Sequence, residues 1–229
     1  MPKNTFHNLP DAKRERILAV ALEEFANNSY QNASISKIVK KAGIPKGSIY
    51  QYFDDKQAIF RYLIEYATEE KLAFFSQLAS PDPASDLFGY LRWLFQAQVQ
   101  FELNHPKIAN LLYHAFLDDT SFPDMIEELQ RRGSTQFFKQ LLTQGILHGS
   151  VSPWVDPDIA AFILEKVFYQ LGRYFITRLR LTQENLSSEA VLETHEAQAL
   201  LTNLMDILEA GMKQNPDQRN RSIRPVNSE

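Results

Sequence analysis

The sequence predicts an all-α fold in which a small N-terminal domain of three helices precedes a larger helical domain. Three observations predict it. Apolar residues recur three and four positions apart along most of the chain. No stretch of useful length shows the alternation of a half-buried strand. Breaks rich in proline, glycine and asparagine separate the apolar stretches, as loops between helices do.

The most informative stretch is 34–56, which reads S-I-S-K-I-V-K-K-A-G-I-P-K-G-S-I-Y-Q-Y-F-D-D-K. Ser34 is a good N-cap for a first short helix, and Gly43 suits the left-handed position that ends it. Pro45 stands where a second helix would begin. Two short helices joined by a tight glycine-containing turn form a helix-turn-helix, which places its second helix in the DNA major groove.

The outward face of this stretch has the chemistry that a DNA duplex requires. Five lysines fall within 23 residues, and each can neutralise a phosphate and release a counterion. Gly47 and Ser48 add little bulk, so the backbone can approach base edges closely. The bland alternative is a helical hairpin with a solvated lysine face. The residues that we expect to contact DNA are Ser34, Ser36, Lys46, Gly47, Ser48, Tyr50, Gln51, Tyr52 and Lys56.

The segment 42–56, A-G-I-P-K-G-S-I-Y-Q-Y-F-D-D-K, resembles the N-terminal signature of the TetR/AcrR family of bacterial transcriptional regulators. Ile17, Ala21 and Phe25 of the preceding helix match that pattern as well, so the resemblance covers roughly residues 10–60. Val39 departs from it, standing where the family usually has alanine. The resemblance implies a homodimer with a variable, all-helical effector domain, and it does not identify the effector.

Charge is distributed unevenly along the chain. The formal net charge is −4, which by itself would argue against a nucleic-acid partner. Residues 1–50, however, contain 8 Lys and Arg against 4 Asp and Glu, while the remainder contains 16 against 24. A basic head on an acidic body orients itself toward DNA.

The predicted organisation is a DNA-binding domain at 1–54, a ligand-binding and dimerisation domain at 55–213, and a disordered tail at 214–229. We expect residues 1–9 to form a mobile polar arm whose Lys3 can touch phosphate. A first helix follows over about 10–27, and a long helix over 55–78 joins head to body. The body helices are predicted at about 84–103, 106–116, 123–148, 157–181 and 188–212.

The helix at 157–181 is apolar around most of its circumference, with one narrow polar stripe. Such a helix must be covered on two sides. Either it lies centrally in the monomer, or a second subunit supplies one cover. We expect the second, with Gly172 allowing close approach. The predicted homodimer interface comprises Phe168, Gly172, Phe175, Leu201, Met205 and Leu208.

The body is rich in aromatic residues. Rings in a helical bundle usually form core, but rings around scattered polar groups also describe a small-molecule pocket. The residues leave both readings open, and the resemblance favours the pocket. For an apolar or aromatic effector, the candidate lining is Trp93, His114, Phe138, Phe162 and Tyr169.

An enzyme is not expected. There is no cysteine, the histidines show no paired spacing, and 195–199 begins like a zinc motif but ends in alanine. No cofactor or metal site is predicted. Without a signal peptide or a membrane span in the sequence, we expect a cytoplasmic protein. The predicted function is a ligand-responsive, DNA-binding regulator acting as a repressor on a palindromic operator. The alternative is a helical carrier of an apolar molecule.

Overall fold

The structure, a computed structural model, describes residues 2–115, 134–181 and 188–213. These residues form an all-α fold, as the sequence predicts, with one isolated antiparallel bridge between Val151 and Lys213. The predicted tail at 214–229 and parts of two predicted helices lie outside the described residues. The helices are α1 (Asn4–His7), α2 (Asp11–Asn27), α3 (Ile35–Ala42), α4 (Lys46–Tyr52), α5 (Lys56–Ser76), α6 (Leu87–Asn104), α7 (Pro106–Tyr113), α8 (Ser134–Leu147), α9 (Pro157–Arg178), α10 (Ser188–Glu193) and α11 (His195–Met212).

The described residues divide into two compact units. The first contains 2–78 and 101–115, and the second contains 79–100, 134–181 and 188–213. The chain passes from the second unit to the first inside α6, between Gln100 and Phe101.

The first unit is built around α2, which packs against α3, α5 and α7. Its core is apolar: Ile17 and Phe25 of α2, Ile38 of α3, Ile49 of α4 and Phe60 of α5 are each no more than 1% exposed. These two rings and three branched side chains from four successive helices interlock because helical spacing puts one apolar stripe on each element. This common core fixes the angle between the two helices of the predicted helix-turn-helix.

Side-chain caps set several helix starts. Asp55 caps α5 by accepting a hydrogen bond from the backbone N–H of Ala58 at 2.7 Å. Asp156 caps α9 through the N–H groups of Asp158 and Ile159. Thr194 caps α11 through Ala197. Each cap satisfies backbone donors that the first helical turn leaves without a partner.

The N-terminal segment is not the mobile arm that the sequence analysis expects. Residues 4–7 form the short helix α1, which packs against α4. Phe6 is fully buried, with its ring 4.8 Å from that of Phe53. Lys3, expected to touch phosphate, instead lies 2.8 Å from the carboxylate of Asp54. A single large apolar side chain is enough to dock this segment, because burying a phenyl ring yields about 1.5–3 kcal/mol.

The second unit packs α8 against α9, with Phe138 of α8 lying edge-on to Phe168 of α9 at 5.6 Å between ring centres. Gly145 of α8 lies at a close approach. A Cβ there would lie 2.6 Å from Leu87 and 2.8 Å from Val151, so a larger residue would force these side chains apart.

The turn between α3 and α4 generates a first prediction. Gly43 adopts the left-handed conformation, with φ +66°, whereas Gly47 of α4 does not, and a Cβ at either site meets nothing within 4 Å. Gly43→Ala should therefore lower the free energy of unfolding by about 1–2 kcal/mol through backbone strain alone. Gly47→Ala, the matched control, should leave it unchanged or raise it by about 0.5 kcal/mol. Urea denaturation of both variants measures the difference, and equal effects would contradict this account of the turn.

Candidate nucleic-acid interface

The first helix of the motif, α3, is held at its N-terminus by two side chains. Ser34 caps it as predicted, accepting from the backbone N–H of Lys37 at 3.4 Å. The carboxylate of Glu24, which is 5% exposed, accepts from the backbone N–H of Ser34 at 3.0 Å. Sequence reasoning missed Glu24, since nothing in the chain marks a partner ten residues away. It fixes the end of α3 that would face a phosphate, where the exposed Ser36 lies.

The turn then aims α4 outward. Gly43 ends α3, and the N–H of Ile44 bonds to the carbonyl of Val39 at 3.1 Å, closing the helix in a Schellman-type arrangement. Ile49 is 1% exposed and anchors α4 on the core. As a result, α4 presents Lys46, Gly47, Tyr50 and Gln51 as exposed residues, with Ser48 half-buried beside them.

Tyr52, which was also predicted to contact DNA, does not belong to this outward face. It is 6% exposed, and its ring centre lies 6.0 Å from that of the buried Phe6. The reason is helical spacing: Tyr52 follows Ile49 by three residues and so shares its inward face. Most of the Tyr52 side chain is therefore packed against the protein.

The lysines of the motif differ in how much positive charge they can offer. Lys41 donates to the carboxylate of Glu23 at 2.8 Å, and this hydrogen bond, with the charge of Lys41, holds the pKa of Glu23 below its usual value. Lys107 of α7 also reaches Glu23, at 3.5 Å. The charge of Lys41 is therefore offset within the protein. Lys40 and Lys46 are exposed.

Lys56, predicted to bind phosphate, lies at the start of α5. Its ammonium group stands 4.6 Å from the ring centre of Tyr30 and donates to the carbonyl of Gln31 at 3.2 Å. These contacts restrain a long side chain at the edge of the motif. A restrained cation loses less conformational entropy when it meets an anion, which favours a phosphate contact.

The predicted dimer residues are buried within a single chain. Phe168, Phe175, Leu201, Met205 and Leu208 are each at most 8% exposed within a single chain, and Gly172 is buried as well. They form the interior of the second unit, because α9 is apolar nearly all round and its best-packed side faces its own core. Among them, Phe175 also lines the groove between α9 and α11 described below.

The outer faces of α9 and α11 instead border an open groove of about 660 Å³. Its rim includes two large apolar side chains that solvent reaches, Tyr174 at 53% and Ile207 at 71% exposure. The sequence-based prediction of the interface named neither of them, although each lies on one of the two helices that it selected. The groove is lined by Val167, Gln170, Leu171, Arg173, Tyr174, Phe175, Thr177, Leu200, Asn203, Leu204 and Ile207.

The five candidate effector contacts do not share one environment. His114 belongs to the first unit, and the other four belong to the second. Phe138 is 1% exposed, whereas Phe162 is 57% exposed with the ammonium group of Lys166 5.5 Å from its ring centre. The ring of Phe162 is therefore open to solvent, whereas that of Phe138 is packed inside the unit. The half-buried Trp93 packs beside Tyr90, with 5.3 Å between ring centres, and Tyr169 beside Phe168.

Other kinds of site find no support in the part of the chain that the structure describes. No group of three or more His, Asp or Glu side chains there is arranged to hold a metal ion. Within the same residues, every helix is too short or too polar to cross a membrane.

A capped first helix, a glycine turn and a short second helix with an exposed, partly basic face define a helix-turn-helix DNA-binding protein. Residues 17–63 match the family described as bacterial regulatory proteins, tetR family, and residues 85–213 match the tetracyclin repressor-like C-terminal domain. A TetR family transcriptional regulator from Chloroflexus aurantiacus J-10-FL is 42% identical, with a TM-score of 0.82 over 94% of this chain and 100% of that one. The chain therefore belongs to the TetR family.

More distant relatives agree with this assignment. The HTH-type regulator YhgD of Bacillus subtilis (strain 168) is 23% identical over 69% of this chain and 82% of its own. YdgC of the same organism is 47% identical, but the match spans only 22% of this chain and 26% of YdgC. The structure of FadR from Bacillus subtilis in complex with stearoyl-CoA shares the fold, with 20% identity and a TM-score of 0.64 over 86% of this chain and 98% of that one.

Family membership makes the protein a DNA-binding transcriptional regulator, as the sequence predicts. It does not favour the alternative of a helical carrier. The family is one of regulators rather than enzymes.

The interface generates a second prediction. Lys46→Ala should weaken binding to a selected operator and relax its base preference, because Lys46 stands on the exposed face of α4. Lys56→Ala should weaken binding to all sequences alike and lower the salt slope of log K by about one. Lys139→Ala, in the second unit, is the control and should change neither the affinity for DNA nor the salt slope. Fluorescence anisotropy over a range of salt concentrations measures all three variants. A folded Lys46→Ala, Tyr50→Ala double variant with unchanged operator affinity would contradict the assignment of α4.

Proposed function

We propose that the protein binds a palindromic operator as a homodimer and represses transcription until an apolar or aromatic small molecule lowers its affinity for DNA. The observation that carries this proposal is the orientation of α4. One face of the helix is anchored by Ile49, and the opposite face presents Lys46, Gly47 and Gln51 to solvent. A seven-residue helix offers few contacts alone, so pairing two of them supports a site with two half-sites about one helical turn, or a multiple of it, apart.

In this proposal residues 1–54 are the DNA-binding domain and 55–213 the effector-binding and dimerisation domain. The DNA contacts are Ser34, Ser36, Lys46, Gly47, Ser48, Tyr50, Gln51 and Lys56. The protein works in the cytoplasm, where a bacterial regulator meets its DNA. Selection of duplexes from a random library by the intact protein tests the central claim. Recovery of a palindrome supports it, and failure to enrich any sequence would overturn it.

The groove between α9 and α11 is the proposed dimer face. The exposed apolar residues at its rim leave apolar surface in contact with water in a single chain. Burying such surface is favourable by about 25 cal/mol for each Å². Gln170, Arg173 and Asn203 add polar groups along the same groove. Two copies of the groove, related by a two-fold axis, would juxtapose the same helices from each protomer.

A third prediction tests this face. Ile207→Glu should dissociate the dimer, because it places a charge on the apolar surface that the proposed dimer would bury. Leu147→Glu is a matched control, since Leu147 of α8 is likewise 71% exposed but lies outside the groove. Light scattering at micromolar concentration distinguishes the two. An unmodified protein that is monomeric, or an Ile207→Glu variant that stays dimeric, would contradict the proposal.

The effector is proposed to bind in the second unit, near Trp93, Phe138 and Tyr169. Half-buried aromatic rings that lie beside buried aromatic rings leave an apolar surface against which a ligand can pack. The buried carboxylate of Glu165, which accepts from the hydroxyl of Thr135 at 2.6 Å, offers a polar group in the same unit. FadR, which shares the fold, was solved with stearoyl-CoA. Long-chain acyl-CoA molecules are therefore sensible first probes.

The proposed switch acts through helix position. The chain enters the first unit within α6, and α7 packs there against both α2 and α5. A ligand that favours a different setting of α5 and α7 would change the separation of the two recognition helices. Typical couplings of this kind are about 1–3 kcal/mol.

A fourth prediction follows. A panel of apolar molecules, including stearoyl-CoA, should contain compounds that raise the melting temperature and weaken operator binding by about 5- to 150-fold. Trp93→Leu should reduce the thermal shift, whereas Phe162→Leu, at an exposed ring, should not. Compounds that stabilise the protein but leave operator affinity unchanged would overturn the switch and restore the carrier reading.

A further inference from the structure

The C-terminal end of α4 is completed by a segment that lies more than forty residues earlier in the sequence. The last four carbonyls of a helix have no partner within it. In α4, the carbonyl of Ile49 accepts from the N–H of Phe53 at 2.9 Å. The next three, from Tyr50, Gln51 and Tyr52, all accept from residues 3–5.

These three hydrogen bonds come from two residues. Lys3 donates its backbone N–H to the carbonyl of Tyr52 at 2.8 Å and its ammonium group to that of Tyr50 at 2.9 Å. The hydroxyl of Thr5 donates to the carbonyl of Gln51. Every carbonyl in the last turn of α4 is therefore satisfied. The cation of Lys3 also stands where the helix dipole is negative, which is the favourable arrangement.

Phe6 anchors the segment that makes these bonds. Its ring is fully buried, 4.8 Å from the ring centre of Phe53 and 5.8 Å from that of Tyr62. The ammonium group of Lys3 also lies 2.8 Å from the carboxylate of Asp54, and this contact holds the pKa of Asp54 below its usual value. The segment is thus attached to both sides of the junction between α4 and α5.

We propose that residues 3–6 are a positioning element for the recognition helix, and that Lys3 acts on α4 rather than on a DNA phosphate. A helix of seven residues is too short to be stable alone, so its last turn depends on this support. Base-edge contacts require fixed geometry, whereas phosphate contacts tolerate small displacements. Loss of the support should therefore reduce binding to the selected operator more than binding to unrelated DNA. The inference rests on the proposed role of α4 in reading DNA.

Thr5 gives the cleanest test, because its side chain is exposed and uncharged. Thr5→Val removes the hydroxyl donor at nearly constant shape, and Thr5→Ser keeps the donor. Thr68→Val is the matched control, since the hydroxyl of Thr68 also donates to a backbone carbonyl, that of Ile64 at 2.8 Å within α5. The probes are a duplex selected from a random library by the intact protein and an unrelated duplex of equal length.

We expect Thr5→Val to weaken binding to the selected duplex by about 3- to 10-fold, as the loss of one hydrogen bond allows. Binding to the unrelated duplex should not change, and Thr5→Ser and Thr68→Val should bind as the unmodified protein does. Lys3→Met should show the same selective loss with an unchanged salt slope. If Lys3→Met lost affinity equally for both duplexes and lowered the salt slope by about one, Lys3 would contact phosphate, and the proposal would be overturned. A Thr5→Val variant that keeps its full preference for the selected duplex would overturn it as well.

Hydrogen exchange supplies a measurement that needs no DNA. The N–H of Lys3 should exchange slowly in the unmodified protein, and the amides of 48–53 should exchange faster in Thr5→Val than in Thr68→Val. A rapidly exchanging Lys3 amide, or unchanged exchange in α4, would overturn the positioning role. If the exchange pattern holds but the intact protein selects no duplex, the proposed function fails while the mechanical link between the two segments stands.

Discussion

The structure of the first unit depends on one constraint: its outward-facing helix is only seven residues long. A helix of this length gains too few internal hydrogen bonds to offset the cost of its nucleation. Its conformation must therefore be imposed from outside, by the glycine turn before it, by Ile49 beneath it and by the segment bonded to its end. The same shortness is useful for a reader of DNA, since few other residues surround the exposed face.

Local features of the fold could be predicted well from sequence because their causes are local. The cap at Ser34, the left-handed Gly43 and the cap at Asp55 each depend on residues within three or four positions. Phe6 and Glu24 could not be placed, because their partners lie far along the chain. The only signal for Phe6 was an aromatic residue in a mostly polar segment, which by itself does not distinguish docking from chance exposure.

The spacing of apolar residues did not show which faces of α9 and α11 lie on the outside of the unit. It correctly predicted α9 and α11 as helices, but a helix that is apolar nearly all round has no stripe to indicate which side is inner. The residues chosen for an interface turned out to fill the interior, and Tyr174 and Ile207 remain outside. Tyr52 illustrates the same limit, since the hydroxyl of tyrosine suggests an exposed polar contact while its ring suits a core.

The docking of residues 3–6 against α4 has a practical consequence for laboratory work on this protein. An affinity tag or a solubility partner fused immediately ahead of Lys3 would lie next to the C-terminal end of the DNA-facing helix. A bulky or highly charged fusion there would compete with the three carbonyl contacts or screen the neighbouring surface. Purification handles are therefore better attached after residue 213, and any handle at the other end should be removed before DNA affinity is measured.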